Sequence, residues 1–89
     1  MSRTAPELNH RERAVLTAAE AGRVEMTCSC EPDLYIDGVC FCDQPTGHAL
    51  VHRGLLRREL DGRPGERAPA ALTSAGHLAL RDDLARTVL

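Results

Sequence analysis

The sequence predicts an α+β domain in which helix outweighs strand, and three observations carry that expectation. An apolar stripe at helical spacing runs through residues 7–21 (Leu8, Val15 and Ala19, with Leu16 beside it), and Gly22 stands where a helix-terminating glycine belongs. Residues 55–73 read as two short strands, "LLRREL" and "APAALT", around the polar turn "DGRPGER", whose glycines and proline punctuate a hairpin. The last stretch, "SAGHLALRDDLARTVL", returns to helical spacing behind Thr73 and Ser74, either of which caps a helix well.

The remaining elements follow in order. "RVEMTC" alternates Val24 and Met26 with Arg23 and Glu25, which suits a short strand with one buried face. "LYIDGVCF" sets Asp-Gly between two apolar runs, a strong hairpin signal. The overlapping "EPDLYID" equally suits one helical turn opened by Pro32, so both readings stay open. "DQPTGHALVHRG" fits a helix over about residues 43–53, with Asp43 as its N-cap, Pro45 in its first turn and Gly54 at its end. Leu78, Leu80, Leu84, Val88 and Leu89 cover about half the circumference of the last helix, more than a core contact needs. That arc points to a homodimer joined through terminal helices.

Size and composition set the limits. A chain of 89 residues forms one domain, residues 1–89, with a small core, and at this size a metal ion or partner chain often supplies missing stability. Hydrophobic residues make up 43%, enough to exclude wholesale disorder, but Tyr35 and Phe41 are the whole aromatic content, so Leu, Val and Ala must build the core. The N-terminal "MSRTAPELNHRER" lacks the apolar run of a signal peptide, and no segment approaches the roughly 20 apolar residues of a membrane span. A cytoplasmic protein without a membrane partner is expected.

All four cysteines fall within "CSCEPDLYIDGVCFC", as two Cys-x-Cys pairs. In a reducing compartment such pairs serve as metal ligands or redox thiols more often than as disulfides. Cys28, Cys30, Cys40 and Cys42 would hold a structural zinc ion as a tetrathiolate, stapling the first strand to the helix that follows residue 43. Free or redox-active thiols, disulfides between the pairs and an iron–sulfur cluster are the other readings, the last having wider usual spacings.

Net charge is −2, but it is unevenly spread. Residues 24–43 hold five acids (Glu25, Glu31, Asp33, Asp37, Asp43) and no base; residues 44–74 hold five arginines (Arg53, Arg57, Arg58, Arg63, Arg67) against three acids (Glu59, Asp61, Glu66). The second half is therefore the part able to meet phosphate. No serine sits in a nucleophile elbow, no glycine loop is built to cradle phosphate, and His48 and His52 lack the intervening Glu of a His-Glu-x-x-His zinc enzyme. His10 and the pair Asp82-Asp83 read as solvated surface, and His77 as the rim of a helix contact. No enzyme is expected.

The segment "LVHRGLLRRELDGRPGERAPAALTSAGHLAL" resembles the C-terminal half of small bacterial winged-helix regulators, of the MarR and PadR types. Leu50, Gly54 and Leu55 match the end of their recognition helix, and Leu72, Thr73, Ala75, Gly76 and Leu80 match the start of their last helix. The resemblance implies a winged helix-turn-helix with a three-stranded wing sheet and a wing over residues 55–73. The acidic, cysteine-rich residues 23–43 would replace a shortened second helix. It implies a DNA-binding transcriptional regulator acting on double-stranded DNA. Gln44 would read adenine, Thr46, His48 and His52 would lie along the exposed side of the recognition helix, Arg53 would meet phosphate, and Arg63 and Arg67 would extend from the wing. Gly47 departs from the pattern, standing three before Leu50 where an apolar residue is usual. A protein-interaction module using the acidic segment, or a thiol redox sensor, are the alternatives.

Overall fold

The computed structural model describes residues 8–60 and 62–88, with side chains described up to residue 85. Its elements are α1 (His10–Glu20), β1 (Val24–Thr27), β2 (Leu34–Ile36), β3 (Val39–Cys40), α2 (Gln44–His52), β4 (Leu56–Arg58), β5 (Arg67–Leu72) and α3 (Ser74–Val88). Three helices pack with one antiparallel sheet of five strands in the order β3-β2-β1-β5-β4.

The expectation of a three-stranded sheet is corrected. Strands β1, β5 and β4 form the expected trio, but β2 and β3 pair with each other and add to the free side of β1, giving five. The cause is the Asp37-Gly38 turn. Both residues adopt left-handed backbone (φ 55° and 81°), which gives the two-residue turn whose twist matches the flanking strands. Arg23 fixes it from outside, donating to both Asp37 carboxylate oxygens at 3.0 and 3.1 Å, while the Asp37 amide donates to the Arg23 carbonyl at 2.9 Å. Of the two readings of this segment the hairpin is the one formed. No helix stands between β1 and α2.

The first helix starts later than its apolar stripe suggests. Asn9 is the N-cap: its side chain accepts from the Glu12 amide, and the Glu12 carboxylate accepts from the Asn9 amide, a reciprocal capping box. Leu8 precedes the helix yet is buried; Glu7 lies outside the described residues.

Alternate strand residues turn one sheet face to the helices. Val24 and Met26 of β1, Leu34 of β2, Leu56 of β4, and Ala68, Ala70 and Leu72 of β5 are buried there with Val15 and Leu16 of α1, Leu50 of α2 and Leu80 of α3. Each fully buried Leu, Val or Met contributes about 1.5–3 kcal/mol relative to an exposed side chain. The opposite phase (Glu25, Thr27, Tyr35, Arg57, Arg67, Pro69) forms the open face.

Asp83 corrects an expectation. It is buried rather than solvated and pairs with Arg13, tying α3 to α1; Asp82 is exposed as expected. Within α3, Leu80 is buried whereas Leu78 and Leu84 are 55% and 45% exposed. The Val88 side chain and Leu89 lie outside the described residues.

Candidate nucleic-acid interface

Helix α2 is held tightly at both ends. The Asp43 carboxylate accepts from the Thr46 amide and from its hydroxyl at 2.7 Å, and the Arg11 guanidinium donates to it at 2.7 Å. The Thr46 hydroxyl and then Arg11 hold this carboxyl below the usual carboxylate range. At the other end Arg53 is ion-paired with Glu12 of α1 at 2.9 Å. Gly47 explains its departure from the apolar pattern: it is buried, and a Cβ there would meet both Leu34 methyl groups at 3.1 Å. The absent side chain lets α2 lie directly on β2.

These contacts change the roles expected of several residues. Gln44 is engaged by the hairpin. Its amide nitrogen donates to the Leu34 and Phe41 carbonyls at 3.1 and 2.6 Å and approaches the Cys40 sulfur at 3.4 Å, while its oxygen accepts from the Leu34 amide at 2.9 Å. A side chain so occupied braces β2 and β3 and does not face a base edge. Arg53 and the Thr46 hydroxyl are likewise spent on Glu12 and Asp43. Arg67 lies over the Tyr35 ring at 4.5 Å, with Glu25 at 3.8 Å.

His48 and His52, one helical turn apart on α2, both face the loop of residues 28–33. His48 Nδ1 is 3.3 Å from a Glu31 oxygen and its Nε2 is 3.5 Å from Asp33, and His52 Nε2 is 3.2 Å from the other Glu31 oxygen. The same loop abuts the turn between β4 and β5. The Cys28 amide donates to the Glu66 carbonyl at 2.8 Å, the Gly65 amide donates to the Cys28 carbonyl at 3.2 Å, and a Cβ on Gly62 would lie 3.1 Å from the Cys28 sulfur. So the outward side of α2, loop 28–33 and the β4–β5 turn border one another in series. On that turn Arg63 is exposed, and its guanidinium has no partner among the described residues.

The cysteines do not fit a tetrathiolate site. Cys28 is buried and continues the inward phase of Val24 and Met26, whereas Cys40 is exposed, registered with Tyr35 and so on the open face. Cys40 is two strands, roughly 10 Å, from β1, while sulfurs sharing a zinc ion lie within about 4 Å of one another. Cys30 and Cys42 are exposed, and all four thiols are free. Among the described residues no group of His, Cys, Asp or Glu is arranged to hold a metal ion.

The residues that matter here and escaped the sequence reading are Glu12, Glu31 and Asp83. Only Glu12 left a local signal, the Asn9-x-x-Glu12 spacing of a capping box; the others act across long chain separations. No described helix is long and apolar enough to cross a membrane. Comparison with known proteins finds no family model, no curated protein and no solved structure that matches the chain.

Proposed function

We propose that this chain is a DNA-binding transcriptional regulator of winged-helix type, with α2 as its recognition helix and the β4–β5 turn as its wing. One observation carries the reading: the outward side of α2 and the arginine-bearing turn border the same loop, so a helix and a wing are available on one surface. The strand order β1-β5-β4 and the joint between α2 and α3 support it. Thr73 donates its hydroxyl to the Gly54 carbonyl and accepts from the Gly76 amide at 2.9 Å, and a Cβ on Gly76 would come within 2.2 Å of the Leu55 carbonyl oxygen. Gly54, Leu55, Thr73 and Gly76, four of the residues that carry the MarR and PadR resemblance, are thereby linked.

The contact set is narrower than the sequence suggested. Arg63 meets phosphate, and His48 and His52 face the groove once loop 28–33 gives way; Gln44 and Arg53 belong to the scaffold. Replacing Arg63 with Ala is expected to weaken binding to random duplex uniformly and to reduce the slope of log affinity against log salt by about one unit. An unchanged slope with unchanged affinity would remove the wing from the interface. The exposed carboxylates of Glu31 and Asp33 favour a second reading, a module that binds a basic protein partner, and that reading takes over in this event.

A further inference from the structure

The loop of residues 28–33 stands between the α2 face and the wing turn, and its charge has the wrong sign for DNA. Glu31 contacts both histidines of the outward α2 face and Asp33 contacts the second nitrogen of His48. The His48 Nε2 atom is buried without a hydrogen-bond partner, because Asp33 approaches it at 3.5 Å without bonding. Both carboxylates are themselves exposed, with side-chain accessibilities of 63% and 52%. The base of the loop is pinned beside them: the Thr27 amide donates to the Asp33 carbonyl at 3.0 Å and the Asp33 amide donates to the Thr27 hydroxyl at 2.8 Å. The loop is thus anchored at its ends while its acidic side chains lie over α2.

Resting on the DNA-binding reading, we infer that Glu31 and Asp33 are specificity-determining residues that act as an internal competitor for the α2 face. A DNA phosphate or base edge reaching His48 or His52 must first displace a carboxylate that already lies against the same imidazole. The approaching phosphates are also repelled by whichever carboxylate stays in place. Random duplex offers only phosphate contacts to offset this cost, whereas a cognate site adds base-edge contacts along the helix. The mask therefore lowers non-specific affinity more than specific affinity, which widens the ratio on which a regulator depends.

The test compares four proteins on random duplex and on a site selected with the parent: the parent, Glu31→Gln with Asp33→Asn, Arg63→Ala, and the loop pair in a His48→Gln, His52→Gln background. Both loop substitutions keep side-chain length and leave the backbone anchors intact, and a thermal melt of each protein verifies folding; Glu31→Gln alone substitutes if the pair is unstable. The loop pair is expected to bind random duplex roughly three- to tenfold tighter than the parent. Its advantage on the selected site is expected to be smaller, and its gain on random duplex to shrink when the histidines are gone. Equal gains with and without the histidines would reduce the effect to net charge and overturn the mask. Unchanged affinity in the loop pair, with weakened binding in Arg63→Ala, would also overturn the mask but leave the DNA-binding reading standing. Failure of all four proteins to bind either duplex would overturn both.

Discussion

At the scale of single residues, Gln44 shows how much a side chain's meaning depends on what the chain does elsewhere. As the first residue after the Asp43 cap it has the position of a base reader, and nothing adjacent in sequence argues otherwise. Its partners are the Leu34 and Phe41 backbone groups, which reach it only because β2 and β3 fold back beside α2. Truncating it to Ala takes the Gln44 partner from the Phe41 carbonyl and the Leu34 amide, while the Leu34 carbonyl keeps the Phe41 amide at 2.9 Å, at a cost of about 1–3 kcal/mol. The expected outcome is a lower urea midpoint at unchanged m-value, with the base preference of the protein intact. A changed base preference at an unchanged midpoint would return Gln44 to the DNA surface. Gly76 and Gly47 make the complementary case. The sequence shows that glycine stands at each position, but only the contacts with the Leu55 carbonyl and the Leu34 methyl groups say why.

At the scale of elements, what was legible is what repeats within a helix or is capped locally. The ends of α2, the β4–β5 pair with its turn, and the start of α3 behind Thr73 all lie where local chemistry put them. The hairpin of β2 and β3 is signalled by Asp37-Gly38 but not decided by the sequence, because strands of three and two residues are too short to display alternation. Pro32 offered a rival helical turn, and the left-handed pair Asp37-Gly38 decides between them. The four cysteines are not brought together for a related reason. Spacing in sequence does not reveal that Cys28 faces inward while Cys40 lies two strands away on the outer face.

The N-cap of α2 yields a pH dependence whose sign follows from the lowered pKa of Asp43. A carboxyl whose folded value lies below its unfolded value stabilises the fold fully above the unfolded value, near 4, and loses that contribution as pH falls through the folded value. Asp43→Asn keeps a capping oxygen but loses the charge that Arg11 meets. The parent is therefore expected to be more stable than Asp43→Asn at pH 6–7, with the gap closing below about pH 4. Denaturation series at pH 7, 5 and 3 measure it, and a gap independent of pH would mean that the ionised carboxylate contributes nothing beyond the cap.

At the scale of the whole molecule, the layering is one-sided: helices cover one face of the sheet, and α3 is the outermost of them in sequence. Leu80, Ala79 and Asp83 fasten α3 inward, leaving Leu78 and Leu84 outside. Leu78 and Leu84 leave apolar surface open on α3, and a second copy of the same helix is the occupant we propose for it. The consequences separate cleanly because the exposed leucines are not part of the core. Leu84→Glu places a charge where water already reaches, so the monomer fold is expected to persist within about 0.5 kcal/mol. Burying that charge at a dimer seam, by contrast, carries a cost of several kcal/mol. Sedimentation of parent and variant at matched concentration is expected to give a dimer and a folded monomer, and the variant is expected to bind one half-site with the affinity gained from pairing lost. A parent that sediments as a monomer would leave α3 unpaired and reduce recognition to one helix and one wing. A Leu84→Glu protein that unfolds would instead place Leu84 among the residues holding α3 to the core.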